Sequence, residues 1–461
     1  MGFLIFVVCS LCFSTVLGSD TYKVAVADAK TEVGSSRYAG LIHEAARANA
    51  DIIVLPTQKN VPSEGALESC LNELDNYDEI VQSVSTAAKE GKVYVVAHLY
   101  EKTNCQNKEE LIRSNLVFNR DGAIISVNRK PVNIPSKCNT TMSKFVKFTS
   151  DFGMTFGVLM EEDILLNEVK EFNGIKNFII SGTFVPRTKF LFAKQFPSSW
   201  AYTNKVNLVT SNGIFGSNID TNKISEQLIV AEFEKSIRDD TSRSFTIMPE
   251  PYSIGDISQY TIKPLDVDAS TQGYTDIVCQ GHFCCQFYVK ANLIESKQDV
   301  SYGLVAFDGV QELGSNNIGV QTCSIAACAA GLYKRSCLIG SEVNSTNIKF
   351  EKIIINANFT ENSVQFPTIL TSYHTVFNKN NFKFTNKNTK SIELYNTENV
   401  LTFGIFGRVY SRDYETISIN VSENVFSDYI SIENVQECFD YLWIRLRVLL
   451  FIVSIYFLEM M

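Results

Sequence analysis

Between Tyr22 and Asn212, short β-branched runs alternate with stretches whose apolar residues recur at helical spacing. The period-2 runs predict strands over Lys23–Ala27, Ile52–Leu55, Val93–His98, Leu116–Asn119, Ala123–Asn128, Thr155–Met160, Phe178–Ser181 and Val206–Thr210. Tyr38, Leu41, Ile42 and Ala45, and again Ile80, Val81, Val84, Ala87 and Ala88, form the apolar faces of two intervening helices. That alternation predicts an α/β unit with helices covering a sheet. Asn119-Arg120-Asp121-Gly122 separates two alternating runs and predicts a hairpin, its Asp-Gly pair supplying the positive φ of the turn, so the sheet is mixed. After about Pro251 the helical period fades, Asn, Ser and Thr rise, and strands such as Ile348–Ile355 and Leu401–Val409 stand between polar turns. The expected units are residues 19–250, of α/β type, and residues 251–420, rich in β-strand.

The two ends add an address. Phe3 to Phe13 is a short apolar run followed by Val16 and Gly18 at the −3 and −1 positions of a cleavage site, which predicts a signal peptide over residues 1–18. In the tail, residues 421–461, the apolar run Val448–Leu458 would span only about 16 Å as a helix, too short to cross a bilayer. It suits a signal exchanged for a glycosylphosphatidylinositol (GPI) anchor, with a plain secreted chain as the alternative. Sequons at Asn139, Asn344, Asn358 and Asn420 agree with an exported glycoprotein at the cell surface or outside the cell.

In that setting the 12 cysteines read as disulfides rather than metal ligands. Cys279, Cys284, Cys285, Cys323, Cys328 and Cys337 predict three bridges whose pairing the sequence leaves open, and Cys138 is expected to pair with Cys105 or Cys70. With 41 basic against 50 acidic residues and no dense basic run, nucleic acid is not an expected partner. The 4 histidines, His43, His98, His282 and His374, lack zinc-site spacing and read as structural or surface residues, so no metal and no cofactor is expected.

Ligands of open α/β sheets bind beyond the carboxyl ends of the strands, which directs attention to three runs. These are Ile52-Ile53-Val54-Leu55-Pro56-Thr57, Ile125-Ser126-Val127-Asn128-Arg129-Lys130, and Phe156-Gly157-Val158-Leu159-Met160-Glu161 followed by Glu162-Asp163-Ile164-Leu165. At these runs the chain resembles the nitrilase superfamily, and within it the branch of vanins (pantetheinases) and biotinidase. Further likeness lies in Ser199-Trp200-Ala201-Tyr202 with Val206 to Asn212, in Ala306-Phe307-Asp308-Gly309, in the cysteine spacing, and in Phe406-Gly407-Arg408 with Tyr410. The resemblance covers about Tyr22 to Tyr410 and implies a nitrilase-like α-β-β-α sandwich followed by a vanin-type β-rich C-terminal domain. It also implies a monomer and a small amide-like ligand.

The family's amide hydrolysis uses a Glu base, an oxyanion-steadying Lys and a Cys nucleophile. Only Lys130 matches; Thr57 stands at the position of the base and Glu161 at that of the nucleophile. A neutral hydroxyl is a very weak base, and a carboxylate attacks amides poorly and cannot form the thioester on which the route depends. The expectation is a protein without hydrolase activity that binds a ligand or serves a structural role. The rivals are an altered C-N hydrolase acting on pantetheine-like or other linear amides, and a surface adhesion protein using the β-rich domain. In bland terms, Glu161, Glu162 and Asp163 suit the start of a helix through its dipole and first-turn capping, a buried Lys130 would form a structural ion pair with Glu161, and Trp200 is a core residue.

Overall fold

The computed structural model describes residues 20–27, 35–57, 77–132, 145–168, 172, 174–181, 195–211, 213–217, 220–223, 225, 227–236, 243–247, 259–294, 300–313, 316–329, 346, 348–371 and 381–415. The predicted signal peptide and tail, Asn139, Asn344, Asn420, Cys70, Cys138, Cys337, His374 and the side chain of Cys105 lie outside the described residues.

The first part of the chain runs β1 (Thr21–Ala27), α1 (Ser35–Arg47), β2 (Ile52–Val54), α2 (Tyr77–Gly91), β3 (Tyr94–Cys105), β4 (Lys108–Phe118), β5 (Ile124–Pro131), β6 (Val146–Thr149), β7 (Thr155–Leu159), α3 (Asp163–Leu166), β8 (Asn177–Ile180), α4 (Phe196–Asn204), β9 (Asn207–Thr210), β10 (Gly213–Ser217), β11 (Asp220–Lys223), β12 (Leu228–Glu234) and β13 (Arg243–Ile247). These strands form two mixed sheets, of order β11-β12-β1-β2-β3-β4-β5 and β13-β10-β9-β8-β7-β6. Parallel pairing of β1 with β2 and β2 with β3, and of β7 with β8 and β8 with β9, puts the carboxyl ends of those strands at one rim of each sheet.

Period-2 alternation decides the layers. Ile53, Leu55, Val95 and Ala97 point outward to Tyr38, Leu41, Ile42 and Ala45 of α1 and to Ile80, Val84, Ala87 and Ala88 of α2. Their alternates Ile52, Val54 and Val96 point inward and meet Phe156, Val158, Ile179 and Val209 of the second sheet. Leu159, Ile180 and Leu208 leave the far face of that sheet and pack with Phe196 and Trp200 of α4. The layers are helix, sheet, sheet, helix, and Trp200, fully buried, is the core residue its sequence context suggests.

The turn at Asn119–Gly122 forms as predicted: Asn119 Oδ1 accepts from the backbone N–H groups of Asp121 and Ala123, and Gly122 takes φ +78°. A Cβ on Gly122 would come within 2.4 Å of the Ser85 carbonyl oxygen, so the position is closed to larger residues twice over. A second hairpin was not predicted. Gln106 and Asn107, at φ 53° and 63°, make a two-residue turn without glycine, and β3 and β4 continue far past the predicted strand ends.

The later part contains β14 (Thr261–Pro264), a short α5 (Val267–Ser270), β15 (Tyr274–Gln280), β16 (Phe283–Leu293), β17 (Val300–Leu313), β18 (Asn316–Ala329), β19 (Ile348–Ala357), β20 (Val364–Thr371), β21 (Phe382–Asn386), β22 (Lys390–Glu398) and β23 (Val400–Arg408). They form two five-stranded antiparallel sheets, β14-β17-β18-β23-β20 and β15-β16-β19-β22-β21. Cys279–Cys284 ties the β15–β16 hairpin, Cys285–Cys323 links one sheet to the other, and Cys328 is disulfide-bonded as well. Phe403, Ile405 and Phe406 of β23 share one core with Leu159, Phe196 and Trp200, so the new sheets cover the outer face of the α/β part and residues 1–417 form one compact unit.

Candidate functional site: a buried charge cluster at the strand ends

The inward alternation of β3, β4 and β5 sets up a polar rim where the apolar inter-sheet core ends. His98, Asn115 and Asn128 pair across adjacent strands, and one step further Arg113 pairs with Lys130. His98 Nδ1 lies 2.6 Å from Asn115 Oδ1, and Asn115 Nδ2 donates to the Leu159 carbonyl at 3.2 Å. The second bond locks β4 over the end of β7, where the chain leaves the sheet as Met160, Glu161 and Glu162 before α3.

Five charged groups meet there. Arg113 grips Glu162 with two nitrogens, Nη2 to Oε1 at 2.7 Å and Nη1 to Oε2 at 3.2 Å, and reaches Glu161 Oε1 at 3.3 Å. Lys130 Nζ donates to Asp163 and stands 3.9 Å from Glu162 Oε1. Asp163 also accepts the Met160 backbone N–H at 2.8 Å. The expected Lys130–Glu161 pair is therefore corrected. The short Asp163 side chain, folded back at the start of α3, takes the ammonium, while the longer guanidinium from β4 takes Glu161. The first-turn capping expectation is corrected too: Glu162 occupies the cap without a side-chain capping bond, and the Asp163 carboxylate turns away to Lys130 and Met160.

Electrostatics follow from three carboxylates against two cations. Burial pushes the Glu161 carboxyl up to about 7, helped by Glu162 and opposed by Arg113. Burial also raises Asp163 to about 6 against the pull of Lys130. Burial acts likewise on Glu162, but Arg113 and Lys130 outweigh it and hold that carboxyl below its ordinary value. Burial keeps His98 neutral by lowering it to about 4, against its bond to Asn115.

The sign of the resulting pH dependence is fixed. Between pH 4.5, the ordinary value for Glu161, and about 7, the folded protein holds a proton the unfolded chain has lost. Stability therefore falls as pH rises through that window. Asp163 acts in the same direction over a slightly lower range, and Glu162 contributes its stability above its depressed pKa and loses it only in more acidic solution; His98, lowered from 6.5 to about 4, acts the other way between those values, and the two raised carboxyls together outweigh it. Urea unfolding is expected to give a higher midpoint at pH 5 than at pH 7.5, and Glu161→Gln to flatten the difference. An unchanged slope in that variant would place the proton elsewhere.

Thr57 is buried after β2, with Tyr38 Oη donating to the preceding Pro56 carbonyl at 3.1 Å. Thr57 makes no hydrogen bond to Lys130 or to Glu161, whereas the structure brings Lys130 together with Glu162 and Asp163; Thr57 follows β2, which is separated from β5 by β3 and β4 in the first sheet. Thr57 Oγ1, Glu161 Oε2, Ser181 Oγ and both amide atoms of Asn128 have no hydrogen-bond partner among the described residues. No group of three or more His, Cys, Asp or Glu side chains is placed to hold a metal ion among the described residues. Of the histidines, His98 belongs to this rim, His43 stands 3.4 Å from Glu90, and His282 is exposed.

Arg113, Asn115 and Asn128 were not singled out by sequence. The signal that could have found them is the inward alternation, which carries from Val117 through Asn115 to Arg113 once β4 is allowed to continue.

A helix-sheet-sheet-helix sandwich with its polar groups at the strand ends is the architecture of carbon-nitrogen hydrolases, and the carbon-nitrogen hydrolase family matches residues 27–169. The vanin C-terminal domain matches residues 253–413. The chain is a vanin-like member of the carbon-nitrogen hydrolase family. Among its relatives, vanin-like protein 1 of Drosophila melanogaster is 24% identical over 86% of this chain and 87% of its own length. Pantetheinase of Mus musculus is 24% identical over 76% of this chain and 73% of its own. A nitrilase-superfamily crystal structure from Saccharomyces cerevisiae, 19% identical, covers 47% of this chain and 91% of that one with a TM-score of 0.36.

Proposed function

We propose that this is an exported vanin-like protein that does not hydrolyse amides and acts by binding. The observation that carries the reading is the ion-pair network itself. Glu161, at the position the resemblance gives to the thiol, sits on Arg113, and Lys130 is neutralised by Asp163. A site of this kind has no group able to form an acyl intermediate, and its ammonium already has a counter-ion where an oxyanion would need it. Disulfides in the β-rich part and an exposed sequon asparagine, Asn358, support an oxidising, extracellular location. Among the described residues no helix is long and apolar enough to cross a membrane, so surface attachment would come from the GPI-type tail.

The test is cysteamine release from pantetheine by the purified full chain. No release above the buffer rate is expected; turnover that disappears in Lys130→Ala would overturn the proposal. One observation favours a second reading, hydrolysis by direct attack of water: Glu161 is pushed up to about 7 and keeps one oxygen without a partner, as a general base would. That reading predicts turnover lost in Glu161→Gln.

A further inference from the structure

We propose that the strand-end cluster binds a small organic cation, a primary ammonium, with Glu161 as its counter-ion. The proposal rests on the non-hydrolytic reading above and adds the class of ligand. The first observation is the unequal sharing of two cations among three carboxylates. Glu162 takes both terminal nitrogens of Arg113 with Lys130 nearby, and Asp163 takes Lys130 and a backbone N–H. Glu161 is left with a single ion-pair contact at 3.3 Å and its own backbone N–H, and its Oε2 has no hydrogen-bond partner. The cluster is one positive charge short, and the shortfall is at Glu161.

The second observation is independent of the charges. Asn128 and Ser181 are both 0% exposed, and neither amide atom of the first nor the hydroxyl of the second has a partner among the described residues. Both belong to this corner. Asn128 lies two residues before Lys130 on the same face of β5 and is paired with Asn115, whose amide rests on the Leu159 carbonyl. The parallel register of Leu159 with Ile180 brings Ser181 alongside Met160, the residue before Glu161. A buried polar group left unpaired costs about 1–3 kcal/mol, and unpartnered buried groups on neighbouring strand ends beside Glu161 point to a missing partner.

The acceptors select the partner's chemistry. An ammonium offers three donors, and a carboxylate oxygen, an amide oxygen and a hydroxyl can each accept one. A neutral amide would leave the charge uncompensated, and a carboxylate would be repelled. Glu161 keeps 27% of its side chain exposed, and its unpartnered Oε2 is buried beneath that surface. The groups that bear directly on its charge among the described residues are Arg113 from β4 and Glu162 and Asp163 at α3, with Tyr100 of β3 acting on Arg113 and Lys130 of β5 on Glu162 and Asp163; His98, lowered to about 4, stays neutral in the range of interest. An incoming cation displaces the proton that Glu161 otherwise holds, so binding releases a proton and strengthens as pH rises.

Calorimetric titration of the full chain with n-propylammonium, with propionamide as the neutral isostere, tests this. Propylammonium is expected to bind at pH 8 and about tenfold more weakly at pH 6, the ratio of ionised Glu161 at the two pH values, while propionamide does not bind. Glu161→Gln should weaken binding at least about tenfold and Asn128→Ala severalfold, the second variant serving if the first does not fold. No binding of propylammonium at pH 8, or equal affinity in wild type and in either folded variant, would overturn the inference. Pantetheine turnover would overturn the proposed function instead, and absence of both binding and turnover would remove only the inferred ligand.

Discussion

Arg408→Met is expected to destabilise the protein by about 3–5 kcal/mol, the largest loss of any single substitution considered. Arg408 is fully buried at the end of β23 and satisfies three partners. Its Nε donates to the Leu165 carbonyl of α3 at 2.9 Å, Nη1 to the Gly319 carbonyl at 2.5 Å, and Nη2 to both carboxylate oxygens of Asp413, at 3.0 and 2.8 Å. The guanidinium also lies 4.3 Å from the centre of the Tyr410 ring. Methionine fills most of the volume but takes the guanidinium from the Asp413 carboxylate and the Leu165 carbonyl, while the Gly319 carbonyl keeps the Val409 N–H and Asp413 Oδ1 keeps the Gly319 N–H; a buried carboxylate without its counter-ion costs more than the pair gains by forming. Arg408→Lys keeps the charge yet cannot span a helix carbonyl, a strand carbonyl and a carboxylate at once, so an intermediate loss is expected. Urea midpoints of the three proteins measure this, and a loss below about 1 kcal/mol for the methionine variant would mean that water takes over the role of the guanidinium.

The same residue explains how the β-rich part bears on the site. Leu165 is the third residue of α3, and Asp163, the first, holds Lys130. Arg408 thus clamps from below the short helix that positions the ion pair above, and Tyr410 adds a contact to the Asn167 carbonyl at 3.4 Å. The Phe406-Gly407-Arg408 run stood out in the sequence only as part of the family likeness. Its physical role needed the structure, because its principal partner is 243 residues away.

What the sequence made legible follows from periodicity. The helices α1 and α2, and the strands β1, β2 and β7 to β9, are short, strongly apolar and bounded by polar residues, and these appear close to where the pattern puts them. The outer halves of β3 and β4 did not, because Glu101, Lys102, Glu109, Glu110 and Arg113 interrupt the apolar alternation, and Gln106-Asn107 lacks the glycine that marks a tight hairpin. Losing that stretch meant losing Arg113, and without Arg113 the pairing of Glu161 came out wrong. Strands β6 and β10 to β13 were likewise unread. The placement of Thr57, Lys130 and Glu161 after their strands was legible because a motif fixes a position relative to a strand end, whereas the identity of an ion-pair partner depends on a strand 48 residues away.

Joint replacement of Thr57→Glu with Glu161→Cys is expected to create a reactive thiol at residue 161 and a slow, thiol-dependent amide hydrolysis. The changes belong together, since acylation needs a nucleophile coupled to a proton acceptor and either alone lacks the transfer. The geometry favours the thiol. Arg113, which lies 3.3 Å from Glu161 Oε1, would stand beside the sulfur and depress its pKa, and removal of one carboxylate leaves two carboxylates matched to two cations. Glu162 should be kept, because Arg113 would otherwise be buried without a counter-ion. Two features limit the rate: Lys130 remains bound to Asp163, and the residue now at position 57 is not hydrogen-bonded to either partner, so a glutamate there has to make a new contact. Misplacement on the order of 1 Å costs about a hundredfold in rate, and only weak pantetheine turnover is expected. Mass spectrometry after iodoacetamide treatment, compared with the native chain, reads the thiol directly. Labelling without turnover would show a reachable nucleophile in a pocket no longer shaped for an amide, and a folded double variant with no label at residue 161 would overturn its placement at the strand end.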